Sequence, residues 1–287
     1  MTSSNNALSD RISTVRSTLA VLAGLALFPM AAVAEDAPNV LTDSFNISLG
    51  TFVISTDTQI RVDGAAGEQG TPVDWEQTFG EGDVTRFRLD GYWRFADRHK
   101  VRGLIFSTSR KNSRTINETI DWGGEEFPVD AKVTSEFGFD IYELAYEYAF
   151  LRRENYELGA SIGLHYFSFE ATLEAKGDSS GEVVDVNRKQ SASIGLPAPV
   201  IGLRGLVSLT HDFWLDASAQ FFALSLDEYD GNLQDYRVFV TWQPKKWVGI
   251  GAGYNRFKVD VDVEKSSFNG NLDWTYDGPM LFYSVSF

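Results

Sequence analysis

The sequence predicts an all-β chain: a transmembrane, antiparallel up-and-down β-barrel of about ten strands, with eight or twelve as the alternatives. Three observations carry this. Ten segments alternate apolar and polar side chains, over lengths of roughly 9–11 residues that suit a membrane strand. The chain opens on an export signal. Its last stretch, "MLFYSVSF", stops in mid-stripe, with Leu281, Tyr283, Val285 and Phe287 at every second position.

The export signal comes first. Arg11 and Arg16 precede the apolar run "STLAVLAGLALFPM", and Ala32-Val33-Ala34 forms a small-x-small cleavage site. This is the layout of a secretory signal peptide, cut after Ala34. The run is too short for a spanning helix, which needs about 20 apolar residues. No Cys follows the cut, so a lipoprotein is excluded. The expected organisation is residues 1–34 as signal peptide and 35–287 as one barrel domain.

Composition narrows the class. The chain contains no Cys, which removes disulfides and cysteine-ligated metal. Its net charge is −15, from 40 acidic and 25 basic residues, which argues against nucleic acid as a partner. No cofactor and no metal are expected.

The strands follow in order. The first lies within Phe45 to Val62. The second, "TRFRLDGYWRF", places Phe87, Leu89, Gly91, Trp93 and Phe95 on one face and Arg86, Arg88, Asp90, Tyr92 and Arg94 on the other. The third runs from about Lys100 to Arg110. The fourth sets Tyr142, Leu144, Tyr146 and Tyr148 against Glu143, Ala145 and Glu147. The fifth sets Tyr156, Leu158, Ala160, Ile162, Leu164 and Tyr166 against Glu157, Gly159, Ser161, Gly163 and His165. The sixth is "SASIGLPAPVIGLRGLVSL". The seventh opposes Leu215, Ala217, Ala219 and Phe221 to Asp216, Ser218 and Gln220. The eighth opposes Tyr236, Val238, Val240 and Trp242 to Asp235, Arg237 and Thr241. The ninth alternates Val248, Ile250, Ala252 and Tyr254 with Gly249, Gly251, Gly253 and Asn255. The tenth, "GPMLFYSVSF", should pair with the first, with Phe282, Ser284 and Ser286 facing the lumen.

Which face points outward is not a matter of period. A soluble barrel buries its apolar face, and a membrane barrel turns it to lipid. Glycines and charges on successive polar faces favour the second arrangement, as do aromatics at strand ends. The connections alternate too. "ADRHK", "LRREN", "LTHDF" and "QPKKW" are short. The stretches near 63–83, 112–133, 175–190 and 262–272 are expected to be long loops, with "YDGN" the tight member of that set. Short turns belong on the periplasmic side. An even strand number then puts both termini there. The short turns are also basic, whereas the first long loop is purely acidic.

The ending Leu281, Tyr283, Val285, Phe287 resembles the C-terminal signal read by the outer-membrane assembly machinery. With the signal peptide, the chain resembles the Gram-negative outer-membrane β-barrel class. The stretches "GLPAPVIGLRG", "YDGN", "GIGAGYN" and "YDGPMLFYSVSF" resemble an uncharacterised proteobacterial group of such barrels. The resemblance implies outer-membrane lipid and lipopolysaccharide as surroundings and the barrel assembly machinery as partner during insertion. It supplies no catalytic or ligand residues.

The polar faces hold the candidate site: Arg86, Arg88, Asp90, Arg94, Arg102, Glu143, Glu147, Glu157, His165, Arg204, Asp216, Asp235 and Arg237. Such a row can line an ion-selective lumen or fill a narrow barrel with cross-strand ion pairs. An eight-stranded barrel has room for side chains alone, and open channels come with about 16 strands. A filled lumen is therefore expected at ten, with a small-solute channel as the alternative. A lipid-modifying enzyme is the third reading. It needs a Ser–His pair, and Ser161 lies about 13 Å from His165 along one strand. An omptin-like protease needs a His at the outer rim, but His99 and His211 fall in the short turns. Asp74, Glu76, Glu81 and Asp83 do not match the spacing of a calcium loop and are expected to be solvated. Gly249, Gly251 and Gly253 alternate within a strand and read as small inward residues, not a phosphate loop.

Overall fold

The computed structural model describes residues 40–52, 55–64, 68–80, 83–178, 185–226, 229–245, 247–265 and 268–287. The signal peptide and its cut after Ala34 lie outside them. The elements are β1 (Phe45–Phe52), β2 (Ser55–Val62), β3 (Val73–Asp74), α1 (Trp75–Phe79), β4 (Asp83–Ala96), β5 (His99–Thr115), β6 (Ile120–Trp122) and β7 (Glu125–Phe127). They continue with β8 (Lys132–Arg152), β9 (Tyr156–Asp178), β10 (Asp185–Ser208), β11 (Phe213–Leu226), β12 (Tyr229–Lys245), β13 (Val248–Lys265) and β14 (Phe268–Ser286).

Ten antiparallel staves close into a barrel, with β1 and β2 following one another as the first. Each of the others pairs with its neighbour in sequence. The seam closes where β14 meets β1, with Asn46 opposite Ser286 and Phe52 opposite Met280. Phe45 and Phe287 exchange backbone hydrogen bonds of 2.8 and 3.0 Å. Closure leaves no free edge at this seam. β1 parts from β4 beyond Gly50–Arg88. From there β2 stays on β14 and takes the short β3 as its other neighbour.

The side-chain alternation on β14 settles which face is outside. Leu281 and Tyr283 are 63% and 66% exposed, whereas Phe282 and Ser284 are 7% and 3% exposed. Ile47, Leu49, Leu144, Ile162, Leu164, Ile201, Leu203, Val238 and Ile250 are exposed in the same way. The apolar face looks outward, the arrangement suited to lipid.

The strands run well beyond the expected segments, because the faces exchange roles partway along them. On β8, Tyr142, Leu144, Tyr146, Tyr148 and Phe150 point out, and Glu143, Ala145, Glu147 and Ala149 point in. Toward the loop end the outward residues become Asp140, Gly138, Glu136, Thr134 and Lys132. The inward ones become Ile141, Phe139, Phe137 and Val133, with Ser135 among them. β9 exchanges near Tyr166–Phe167, β13 near Tyr254–Phe257 and β14 near Tyr276–Met280. The outward apolar run from Tyr142 to Phe150 is about 26 Å along a strand, or about 20 Å in height at the usual tilt. Beyond it the outer face meets water and is polar, so the interior can be apolar, as in a soluble barrel.

This exchange corrects the expected loops. Near 262–272 there is no long loop, since β13 runs to Lys265 and β14 starts at Phe268. Near 175–190, β9 and β10 extend to Asp178 and from Asp185. The 112–133 stretch holds the end of β5 and the hairpin β6–β7, whose Ile120, Trp122 and Phe127 are buried. The 63–83 stretch folds back as β3 and α1. Asp74 caps α1, accepting a 2.9 Å bond from the Gln77 N–H, and Trp75 and Phe79 are 1% and 0% exposed. A solvated loop would not bury two aromatic rings, each worth about 2–3 kcal/mol on transfer from water.

Candidate functional site

The lumen is the only place where the expected charged residues converge among the described residues. Near the short-turn end, Lys100 of β5 is the hub. Its ammonium donates 2.9 Å to Glu147 of β8 and also pairs with Glu157 of β9. Arg94 of β4 reaches the second Glu157 oxygen at 2.8 Å. Arg102 and Arg204 each hold one Nη1 3.7 Å from Glu147 Oε2. Arg204 also forks onto Asp216, with Nε at 2.7 Å. The Tyr92 ring lies beneath Lys100 at 5.2 Å and beneath Arg204 at 5.9 Å. Gly159 makes room here, since a Cβ would come within 3.1 Å of the Glu147 chain.

A second group sits deeper. Glu143 accepts 2.6 Å from Gln220 and 3.1 Å from Arg237. Arg237 also binds Asp235, whose other oxygen accepts 2.7 Å from Asn255. Asn255 in turn accepts from Arg88 at 2.7 Å and from the Tyr276 hydroxyl at 2.9 Å. Arg88 closes the chain on Asp90 at 2.8 Å. These bonds join β4, β8, β11, β12, β13 and β14 across the lumen. His165 is fully buried beside Glu143, its Nε2 3.3 Å from Oε2, and neither ring nitrogen forms an aligned hydrogen bond. Arg86 occupies the same face of β4, one pair further toward the loop end, opposite Thr108.

The two groups balance. Arg88, Arg94, Lys100, Arg102, Arg204 and Arg237 supply six cations, and Asp90, Glu143, Glu147, Glu157, Asp216 and Asp235 supply six carboxylates. Desolvating one of these charges alone would cost several kcal/mol, so mutual pairing is the condition for placing them there.

Above them the lumen is aromatic. Trp274 stacks on Phe139 at 3.9 Å, and Tyr276 stacks on Phe106 and Phe257 at 5.0 and 5.3 Å. Trp75 of α1 packs on Trp122 and Phe137. At the loop end, Glu76 pairs with Arg110 and accepts 2.8 and 2.9 Å bonds from the Thr58 N–H and hydroxyl. Glu76 is thus a structural pin, contrary to the expected solvated position. Glu81 and the side chain of Asp83 lie outside what the structure describes. No cluster able to hold a metal occurs among the described residues. On the polar outside nearby, partial burial and the carboxylates of Glu76, Asp74 and Asp273 push the Asp57 carboxyl above its ordinary range. The short-turn end is closed by the segment before β1. Val40 and Leu41 pack against Leu206 and Trp214, and their carbonyls accept from Tyr92 at 3.1 Å and Arg152 at 2.6 Å.

No family model matches the sequence, and no curated protein matches it either. Among solved structures, the outer membrane protease OmpT of Escherichia coli superposes with a TM-score of 0.56 at 14% identity, over 90% of this chain and 99% of that one. The fold is that of an outer-membrane β-barrel. The NalP translocator domain of Neisseria meningitidis (TM-score 0.41, 12% identity, 99% and 98% covered) is less similar. So is Ail of Yersinia pestis (0.35, 12%, 85% and 97%). Neither of these two bears on function.

In this outer-membrane barrel, sequence reasoning missed Lys100 as the hub, and Gln220, Asn255, Tyr92 and Tyr276 as members. Their inward register was visible in the alternation. What the alternation lacks is the partner across the lumen, since Glu143 and Arg237 are 94 residues apart.

Proposed function

We propose that this outer-membrane barrel has a structural or surface-exposed role, without catalysis and without an open conduction path. One observation carries the reading: Arg94 and Lys100 with Glu157, and Arg237 with Glu143, bridge non-adjacent staves through the lumen beneath an aromatic core. A solute path would have to break several of these pairs at once. In the orientation that fits short turns and export, both termini are periplasmic. The water-facing upper half, with α1 and the β6–β7 hairpin, then stands outside the cell above the lipopolysaccharide. The exposed stripe Leu281, Tyr283, Val285, Phe287 is what the assembly machinery would engage before closure.

A non-catalytic role is also favoured by the histidines. The chain has three. His165 is buried among lumen ion pairs, His99 borders one short turn and His211 lies within another. The channel reading is tested by conductance of the purified protein in planar bilayers. A flat baseline at moderate voltage is expected, and reproducible stepwise openings would overturn the closed reading.

A further inference from the structure

A small chamber of about 60 Å³ remains in the lumen, toward the short-turn end. Its walls include Ser48, Asp90, Arg102, Arg204, Trp214 and Asp216. Three N–H groups on these walls are buried and find no acceptor among the described residues: Arg102 Nη1, Arg204 Nη1 and Trp214 Nε1. A buried donor without an acceptor costs about 1–3 kcal/mol, and such groups in a polar cavity point to a bound water or ion. Guanidinium N–H groups of Arg88 and Arg94 also lack acceptors among the described residues, but neither residue lines the chamber.

We propose that this chamber binds one small anion, of halide to phosphate size, through Arg102, Arg204 and Trp214. Proximity supports a shared ligand, because both arginine Nη1 atoms lie 3.7 Å from the same oxygen, Glu147 Oε2. Lys100 holds the other oxygen, Glu147 Oε1, and at 3.7 Å neither arginine is hydrogen-bonded to Oε2. The donor count supports an anion. Of the charged wall residues, Arg237 is taken up by Asp235 and Glu143, Asp90 by Arg88 and Asp216 by Arg204, and the buried wall atoms left without a partner are donors only. Size sets the class. A water needs about 10–15 Å³ of such space, so the chamber takes a few waters or one small ion and excludes a sugar. The Trp214 indole N–H only donates, so what it lacks is an acceptor. Val40, Leu206 and Trp214 form the floor.

The test uses the full-length mature protein in detergent, in sodium gluconate at fixed ionic strength, with chloride or inorganic phosphate replacing gluconate. A ligand that binds only the folded state raises its thermal midpoint. The expected result is a saturable rise with at least one of the two anions, accompanied by a change in tryptophan emission. Arg102→Gln should weaken half-saturation at least tenfold, and Trp214→Phe should abolish the emission change. No saturable rise with either anion, or an unchanged half-saturation in Arg102→Gln, overturns the proposal. Should Arg102→Gln fail to fold, a bromide-grown crystal of the unaltered protein decides. An anomalous peak between Arg102 and Arg204 supports the site. Water alone in the chamber overturns it.

Discussion

Glu76 and Arg110 form an ion pair that ties α1 to the wall strand β5. The Arg110 guanidinium also lies 4.6 Å over the Phe137 ring and donates to Thr56 and Thr58 at 3.1 and 2.5 Å. The pair therefore fixes the cap beside β2, past the point where β1 parts from β4. Glu76→Ala strands a buried guanidinium, at a local cost of about 1.5–3 kcal/mol for charged hydrogen bonds. Hydrogen exchange across residues 68–80 should quicken while β8 and β9 stay protected. Unchanged exchange there would show that apolar packing of Trp75 and Phe79 alone holds the cap.

Lys100 neutralises two carboxylates from adjacent staves. Lys100→Met leaves Glu147 and Glu157 short of their common cation. Removing one partner of a buried ion set costs about 3–5 kcal/mol. The lower end applies, because Arg94 still bonds Glu157. The double variant Lys100→Met/Glu147→Gln should recover at least half of that loss. Urea unfolding in lipid vesicles measures both, and a single variant as stable as the parent would refute the hub.

Leu144 and Gly138 share the outward face of β8, six residues apart, on opposite sides of the Tyr142 boundary. An arginine facing mid-bilayer lipid costs about 2–4 kcal/mol, falling to about 0–1 near the interface. Leu144→Arg should therefore destabilise by the larger figure. Gly138→Arg should be nearly neutral, since a Cβ there meets nothing within 4 Å. Equal costs in vesicle unfolding would place the boundary elsewhere.

Asp57 provides a pH test. Its carboxyl titrates above the ordinary 3.8 in the folded state, so the folded form resists ionisation. The stability this group contributes is present below pH 3.8 and is lost as pH rises to the folded value. Asp57→Asn should match the parent in acid and exceed it at neutral pH. A constant difference in thermal midpoint across that range would contradict the assignment.

Much of the fold was legible, and the reason lies in particular residues. The alternation of Leu281, Tyr283 and Val285 with Phe282, Ser284 and Ser286 marks two faces wherever it occurs, so strand number follows from period, and the outward face from the glycines and charges gathered on the other side. Phe137, Phe139, Trp274 and Phe257 keep the same period with the polarity reversed. A template that asks for apolar outside ends the strand there and reads a loop. Trp75 and Trp122 were hidden differently. Each sits among Gly, Asp and Glu, and only the folded barrel shows the hole they fill. The ion pairs were legible as a set of inward charges. Their matching depends on stagger between strands far apart in sequence, as with Lys100 and Glu157.

The seam between β1 and β14 has a kinetic consequence. Asn46 and Ser286 are 240 positions apart and bonded at 2.8 Å. Such non-local pairing is slow to form. Until the final stave arrives, β1 offers one naked strand edge to any passing chain. Cyclisation of the wall is thus a single late event, and the hazard of aggregation is greatest just before it.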